Sequence, residues 1–462
     1  MQELNLGYHY PIIYWNTACL IINAGANEEL DDNKSTQYGK IAKAIANFKQ
    51  RSIIVDRPLI NEAKFSFVPD EKNNRIIFSF KGLCGIGDDI ARAIVEHQPY
   101  SSFEDFCKRM VDTKIIGTAK MIILIKAGCF NELDSPDRME TMKKFLSRNV
   151  FTPIDKLTMQ QFNSALEYDI FPKEMETMIR IKNFKAYALH ESFFLKNIID
   201  EGKKVPKKGY HDRYFALDER GTEFLMEHFN TCIVGTKEDG VIISEKLFNK
   251  EWDALIQPLK DYMALPETLQ LYNQKKLDST MESYASGSLE QWDMESLSYY
   301  PDRHELWNLN EPKYGVVDYN SLPEIPEVYE HTTRRVRGEI KHFPKYKIFR
   351  LAGTVLDSDN NKHLVSLLTN HGVVTCKYNK GQYSYYNKRI SEQTPAGKKK
   401  VLEESWFKRG SKIIVCGYRR EDQFVIMKYP DTVYTHTTNR IEEIYNDGTI
   451  LAQTDRKKVG ER

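Results

Sequence analysis

The sequence predicts an α+β chain in which helices and short strands give way to a small all-β barrel, and three observations carry that expectation. Apolar residues recur at helical spacing early in the chain, as in Ile41, Ala42, Ile45, Ala46 and Phe48. Beyond Thr332 the period becomes two, as in Phe349-Arg350-Leu351-Ala352-Gly353-Thr354-Val355. Positive charge gathers where the period changes: residues 331–430 hold 21 Lys+Arg against 8 Asp+Glu, in a chain whose net charge is only +1.

A length of 462 residues accommodates several domains of roughly 150 residues each. Hydrophobic residues at 41% and charged residues at 28% are the proportions of a folded globular chain, which excludes wholesale disorder. The apolar stretch Pro11 to Gly25 is interrupted by Asn16, Thr17 and Asn23 and is shorter than the roughly 20 residues a membrane span needs. With no basic leader or processing site, the expectation is a cytoplasmic protein that is neither secreted nor membrane-embedded, with no membrane partner. The seven cysteines have no paired short spacing, so reduced, mostly buried thiols are expected rather than a zinc site.

Tyr14 to Asn23 and Gln37 to Arg51 read as packed helices in a first region, residues 1–65. Short β-rich runs, Ile53–Val55, Phe65–Val68 and Ile76–Phe80, follow between Pro58, Pro69 and an Asn-Asn turn. Residues 66–149 form a module with two helix-loop-helix units. Residues 150–330 read as an irregular helical connector whose polar stretch Ser279 to Ser288 suggests a flexible linker. Residues 331–430 are the all-β domain, and residues 431–462 a polar tail containing Arg456-Lys457-Lys458.

Leu83-Cys84-Gly85-Ile86-Gly87-Asp88-Asp89-Ile90-Ala91-Arg92-Ala93-Ile94 has the arrangement of a helix-hairpin-helix motif. Gly85 and Gly87 permit a tight turn and close approach to a ligand, while Leu83, Ile90 and Ile94 pack the helices. The second helix would then present open N–H groups to a DNA phosphate. Lys81 and Arg92 add charge to this duplex-binding site, and Asp88 and Asp89 oppose it. A plain glycine turn between packed helices is the alternative. Ile115 to Phe130 resembles a second, degenerate copy, for which packing is the expected role.

In the basic domain, cations alternate with rings from Lys377 to Arg389. Such a mixture suits single-stranded nucleic acid, because rings stack on any base while cations follow the backbone. Arg350, Lys377, Tyr378, Lys380, Tyr383, Lys388 and Arg389 are the candidates, and the tyrosines fit barrel packing equally well. Flanking strands Leu364–Leu368 and Val373–Tyr378 fit a five-stranded OB barrel.

No catalytic residue and no metal ligand is assigned. Nucleotidyl transfer by two metals needs clustered carboxylates. Asp357-Ser358-Asp359 precedes Asn360-Asn361 and reads as a hairpin turn, Glu28, Glu29, Asp31 and Asp32 as a solvated helix end, and the eleven histidines do not cluster.

Several ordered segments together resemble the alpha subunit of bacterial DNA polymerase III, the C-family replicative DNA polymerase. Tyr8-His9-Tyr10-Pro11 is similar to the end of its fingers region, and Asp56-Arg57-Pro58-Leu59-Ile60-Asn61 with Phe65 to its proline-aspartate-isoleucine-asparagine segment. Phe80-Lys81-Gly82-Leu83 looks like the entry to its hairpin motif, continued by Phe103-Glu104-Asp105-Phe106-Cys107 and Leu124-Ile125-Lys126-Ala127-Gly128-Cys129-Phe130. Trp292 to Tyr300, with His304-Glu305-Leu306, resembles the segment before its OB domain.

The resemblance implies a helical fingers remnant, a helix-hairpin-helix module, a connector and an OB domain. It further implies a DNA-binding and clamp-recruiting part of a DNA-directed DNA polymerase, a nucleotidyltransferase. The family's phosphoesterase-like domain, palm and thumb have no counterpart here. A split gene, as in a bacteriophage, is therefore expected, with a separate palm-bearing chain holding the Mg2+. The implied partners are primed duplex, single-stranded template, that palm-bearing chain and a sliding clamp. Residues 150–290 diverge. Within them Gln270-Leu271-Tyr272 is a candidate clamp-binding peptide, Gln161-Phe162 competes, and helix surface is the plain reading of both. A free-standing DNA-binding accessory protein is the alternative to the split polymerase, and a nuclease is disfavoured by the lack of a metal cluster.

Overall fold

The computed structural model describes residues 11–26, 35–49, 52–195, 212–237, 240–393, 399–427 and 437–456. Tyr8-His9-Tyr10, the acidic group Glu28, Glu29, Asp31 and Asp32, and Lys457-Lys458 lie outside the described residues. Contacts divide the chain into two compact units, Met1–Lys144 with Ala285–Arg462, and Phe145–Tyr284.

In the first unit, apolar residues at helical spacing give α1 (Ile12–Ala24) and α2 (Tyr38–Lys49), which pack together. Gly25, with φ of 64°, ends α1 by returning its N–H to Ile21 and Ile22. Three short strands, β1 (Ile54–Asp56), β2 (Val68–Asp70) and β3 (Arg75–Ile77), form a sheet in the order β1-β3-β2, with β1 parallel to β3. The expected boundary at residue 65 thus falls inside one sheet, and the Phe65–Val68 run is a strand only at its end.

Next come α3 (Asp88–Glu96), α4 (Phe103–Phe106) with a π turn at Cys107–Val111, α5 (Thr118–Lys126) and α6 (Arg138–Asn149). Their core is aromatic: Phe106 meets Tyr100 and Phe130 edge-on at 4.7 and 5.0 Å between ring centres, and Phe103 meets Phe130 at 5.1 Å. Rings so placed gain about 0.5–1.5 kcal/mol per pair beyond their burial.

The second unit holds α7 (Phe162–Glu167), α8 (Glu176–Ala188), β4 (Tyr214–Ala216), α9 (Glu219–His228), β5 (Ile233–Lys237), β6 (Gly240–Ser244), α10 (Glu245–Leu255), α11 (Gln257–Ala264) and α12 (Pro266–Tyr284). A helical connector was expected, but β4, β6 and β5 form an antiparallel sheet in that order. Its strands are short β-branched runs, such as Val241-Ile242-Ile243, that a helix-dominated stretch conceals. Phe184, Phe215, Phe229 and Phe248 fill the core beside this sheet. The expected linker at Ser279 is helical through Tyr284, the end of α12.

The first unit resumes with α13 (Leu289–Leu297) and α14 (Glu311–Tyr314), then an exposed two-stranded ribbon, β7 (Val328–Val336) and β8 (Glu339–Tyr346). The barrel follows: β9 (Phe349–Asp359), β10 (Leu364–Thr369), β11 (Gly372–Lys377), α15 (Lys380–Asn387), a small hairpin of β12 (Ile390–Gln393) and β13 (Lys399–Glu403), then β14 (Lys412–Arg420) and β15 (Gln423–Ile426). Strand β15 pairs in parallel with β11 and antiparallel with β14, and β14 pairs with β9, so the five strands close in the order β9-β10-β11-β15-β14. This order, with a helix between the third and fourth strands, is that of an OB barrel. Val365, Leu367, Val374, Ile413 and Val415 point inward.

Two further strands, β16 (Thr438–Ile444) and β17 (Ile450–Gln453), extend the sheet from β14. The residues expected to form a polar tail therefore continue the β-domain. Arg456 is buried: it is paired to Glu403 at 2.7 Å and donates to the carbonyls of Tyr385, Tyr386, Lys388 and Glu404. A cation that next to Lys457-Lys458 looks solvated thus ties together the segments around α15.

Candidate nucleic-acid interface

Two helix N-termini of the hairpin module have nearly the same backbone. Gly87 caps α3 with φ −82° and ψ 165°, and Gly117 caps α5 with φ −83° and ψ 164°. At both glycines an added Cβ would meet nothing within 4 Å. Open backbone N–H groups at a nine-residue helix, with no side chain in front of them, suit a phosphate oxygen. Gly85 has a different task. Its φ of +85° is strained for other residues, and an added Cβ would lie 3.2 Å from Ile123 Cδ1.

The two copies differ in charge. The first turn of α3 carries Asp88 and Asp89, and Lys81 is bonded to Asp88 rather than pointing at a ligand. Arg92 lies 4.1 Å from the Phe65 ring centre, stacked on the module's own surface. The first turn of α5 carries no acid, and Lys120 donates from it to the Gly85 carbonyl, joining the two hairpins. The copy expected to serve only packing therefore has the more favourable field for an anion.

Residues that carried the family resemblance hold this module in place. Asn61 forms a two-way bond with the Tyr100 backbone, both legs 2.8 Å. Arg57 grips both oxygens of Asp293 at 2.6 and 2.9 Å, and Arg138 reaches the same carboxylate at 2.5 Å. Burial works against the Arg57 cation, but the bonds to Asp293 and Asp302 outweigh it and raise its pKa above the ordinary arginine value. His304 accepts from the Leu306 N–H on Nδ1 and faces the Leu368 carbonyl through Nε2, which selects the neutral ring. Its pKa is lowered to about 4, first by burial and further by Lys49.

On the barrel the expected single-strand residues separate into two groups. Tyr378 is buried with its hydroxyl 3.0 Å from Thr438, and Tyr383 is buried with its hydroxyl 2.8 Å from Asn360. Neither ring can stack on a base, which corrects that expectation. The stretch between Lys377 and Arg389 is largely a helix capped by Asn379, and Tyr383 and Tyr386 lie one turn apart on its inner face. Arg350 donates to the Tyr314 carbonyl, and Lys377 is bonded to the Lys362 carbonyl, so both serve the fold. Lys380 and Lys388 are exposed, and so is Arg389, which pairs with Glu404 at 2.9 Å.

Helix α2 packs on β9, β10 and β11, with Ala42 clustered with Leu356, Leu368 and Val373. Gly39 lies so close that an added Cβ would be 2.4 Å from that of Asp357. The outer face of the second and third strands, where OB barrels receive oligonucleotides, is thus partly covered by the chain's own helix.

In the other unit, the ring of Tyr272 is buried beside Tyr168 at 5.4 Å, while Gln270 and Leu271 face outward on α12. A clamp pocket would have to extract the ring from this core, which corrects its assignment as an anchor. Phe162 is likewise buried, and Gln161 closes a capping box with Thr158.

Among the described residues no group of three His, Cys, Asp or Glu could hold a metal ion. Asp359 instead accepts from the Asn361 and Lys362 N–H groups, forming the expected turn. These residues do not fit a two-metal centre. Burial raises the thiol pKa of Cys84 and Cys129 and pushes Cys232 up to about 12, so these thiols are inert at neutral pH. No helix among the described residues is long and apolar enough to cross a membrane.

Comparison with known proteins agrees with this geometry. A family model described as a helix-hairpin-helix motif matches residues 52–140. The chain is similar to "Probable DNA polymerase YorL" of Bacillus subtilis (strain 168) and to "DNA-directed DNA polymerase" of Bacillus phage SPbeta, each 40% identical over 99% of this chain. The chain spans 34% of the length of these curated relatives. It is thus homologous over nearly its whole length to part of a DNA polymerase-like protein, and carries within that stretch a helix-hairpin-helix motif and an OB-type barrel.

Proposed function

We propose that this chain forms the DNA-gripping part of a replicative DNA polymerase of the C-family type, acting in the bacterial cytoplasm with a separate palm-bearing chain that holds the Mg2+. The hairpin pair holds primed duplex through the backbone at Gly87 and Gly117, while Gly85 makes the turn that sets the first cap, and Lys81 and Arg92, engaged by Asp88 and Phe65, brace it. The exposed cations Lys380, Lys388 and Arg389 guide the single-stranded template. A sliding clamp completes the assembly, attached elsewhere than through the buried Tyr272. The observation that carries this reading is the matched pair of open glycine caps, Gly87 and Gly117, in a chain homologous to DNA polymerases. Contacts of this kind read phosphate and not base sequence.

The test has two arms. Titrating the purified chain with primed duplex over a salt series should give sequence-independent binding that weakens linearly in log–log form. Co-expression with a palm-bearing chain should yield a complex that extends a primer with Mg2+. Indifference to DNA at low ionic strength defeats the DNA reading. Binding without co-purification or synthesis defeats the split-enzyme part alone.

A further inference from the structure

The ribbon β7–β8 projects from the barrel with almost nothing packed on it. Of its strand residues only Thr332, Val336 and Tyr346 are half-buried, and the others are exposed. An isolated two-stranded ribbon is marginal in water, so one this long calls for a partner. Its root is anchored: Tyr346 stacks against Tyr418 at 4.5 Å and accepts from Arg420 at 3.3 Å. The remainder reaches out for about 25 Å at roughly 3.3 Å per residue.

Pairing in the ribbon settles which residues share a face. Arg334 lies opposite Lys341 and Thr332 opposite Phe343 on one face, while Arg335 lies opposite Ile340 and Thr333 opposite His342 on the other. Arg337 and Gly338 form the tip, with φ of 51° and 88°, the tight two-residue turn that continues strand twist. Residues 331–345 contain five Lys+Arg against one Asp+Glu. Lys345 pairs with Glu330 at 2.6 Å and Lys341 lies 4.0 Å from Glu339, whereas Arg334, Arg335 and Arg337 have no acidic partner among the described residues. Both faces and the tip therefore present arginine to solvent.

We infer that this ribbon is an arm that enters a groove of duplex DNA. A two-stranded ribbon fits a major groove about 12 Å wide, and three arginines near one tip match closely spaced phosphates. Ile340 is 70% exposed beside Arg335. An exposed apolar side chain among arginines suits contact with base edges or a base step, which a purely solvated basic face would not require. The inference rests on the DNA reading above and adds a second contact, remote in sequence from the hairpins.

The experiment compares the full chain with Arg334→Ala/Arg335→Ala/Arg337→Ala, using a 30-base-pair duplex and a single strand of equal length. The triple variant should lower the duplex salt slope by roughly 2–3, at about 0.9 per phosphate contact, and weaken duplex binding roughly tenfold or more, with a smaller effect on the single strand. A triple lysine variant should keep the slope, and an unchanged thermal midpoint shows that the fold persists. If wild type binds duplex and the alanine variant binds with the same slope, the arm is overturned while the DNA reading stands. If wild type binds no DNA, both fall. If Ile340→Ser/Phe343→Ser alters self-association while the alanine variant leaves DNA binding intact, the ribbon docks protein and the inference fails.

Discussion

Arg57 and Asp293, 236 positions apart, meet in a two-pronged ion pair whose aspartate is also held by Arg138. The Asp293 side chain is only 4% exposed. The pair binds the segment after α2 to helix α13, and Arg138 draws in the start of α6. Two stretches that carry the resemblance to the polymerase are thus partners in space.

Removing Asp293 should therefore be costly, since it strips the carboxylate from the buried Arg138 and leaves Arg57 with only the exposed Asp302. Asp293→Ala is expected to destabilise the first unit by about 3–5 kcal/mol. Urea unfolding of a variant keeping Trp292 as its one tryptophan, with and without Asp293→Ala, measures this, and a loss below about 1 kcal/mol would contradict the account.

Gly87 and Gly117 separate binding from folding. Their backbone angles suit any residue and nothing occupies the Cβ position, so Gly87→Ala/Gly117→Ala should shift stability by no more than about 1 kcal/mol. The added methyl groups should nevertheless weaken duplex binding at every sequence tested. Gly85→Ala is the contrasting case, costing about 1–2 kcal/mol through its positive φ. Anisotropy titration beside thermal melting distinguishes them.

His304 predicts a pH dependence. Its folded pKa of about 4 lies below the ordinary 6.5, so the unfolded chain binds the extra proton first as pH falls. Stability should be complete above pH 6.5, decline between 6.5 and 4 by up to roughly 3 kcal/mol, and level off below. The variant His304→Asn retains an acceptor for the Leu306 N–H and should flatten that part of the curve. An equal decline in both proteins would assign it to other groups.

The barrel surface offers a matched comparison. Lys380→Ala/Lys388→Ala/Arg389→Ala should reduce the salt slope for single-strand binding by roughly 2, at about 0.7 per phosphate contact on a single strand. Tyr378→Phe removes a buried hydroxyl contact with Thr438 and should cost about 1 kcal/mol of stability without changing DNA affinity. If the tyrosine variant alone lost DNA binding, the division between packing rings and exposed cations would be wrong.

What the sequence revealed follows from the range of each signal. Gly85 and Gly87 were legible because a tight turn before a helix has a local requirement. Strands β10 and β11 were legible because alternation is local too. Helix α15 was hidden: Lys380, Gly381, Gln382 and Ser384 read as loop, and only the one-turn spacing of Tyr383 and Tyr386 marks its inner face. Strand β16 has few apolar residues, Ile441 and Ile444, among polar ones. Arg456 could not be recognised as buried, because its partner Glu403 is 53 residues away and its neighbours are lysines. The charge count found the basic domain but could not say which cations were already bonded to carbonyls, as Lys377 is.

Helix α2, lying over β9 to β11, makes the barrel inseparable from sequence some three hundred residues upstream. A fragment cut at the β-domain boundary would bare more of Leu356, Leu368 and Val373, and its oligonucleotide affinity would report a surface wider than the intact chain offers.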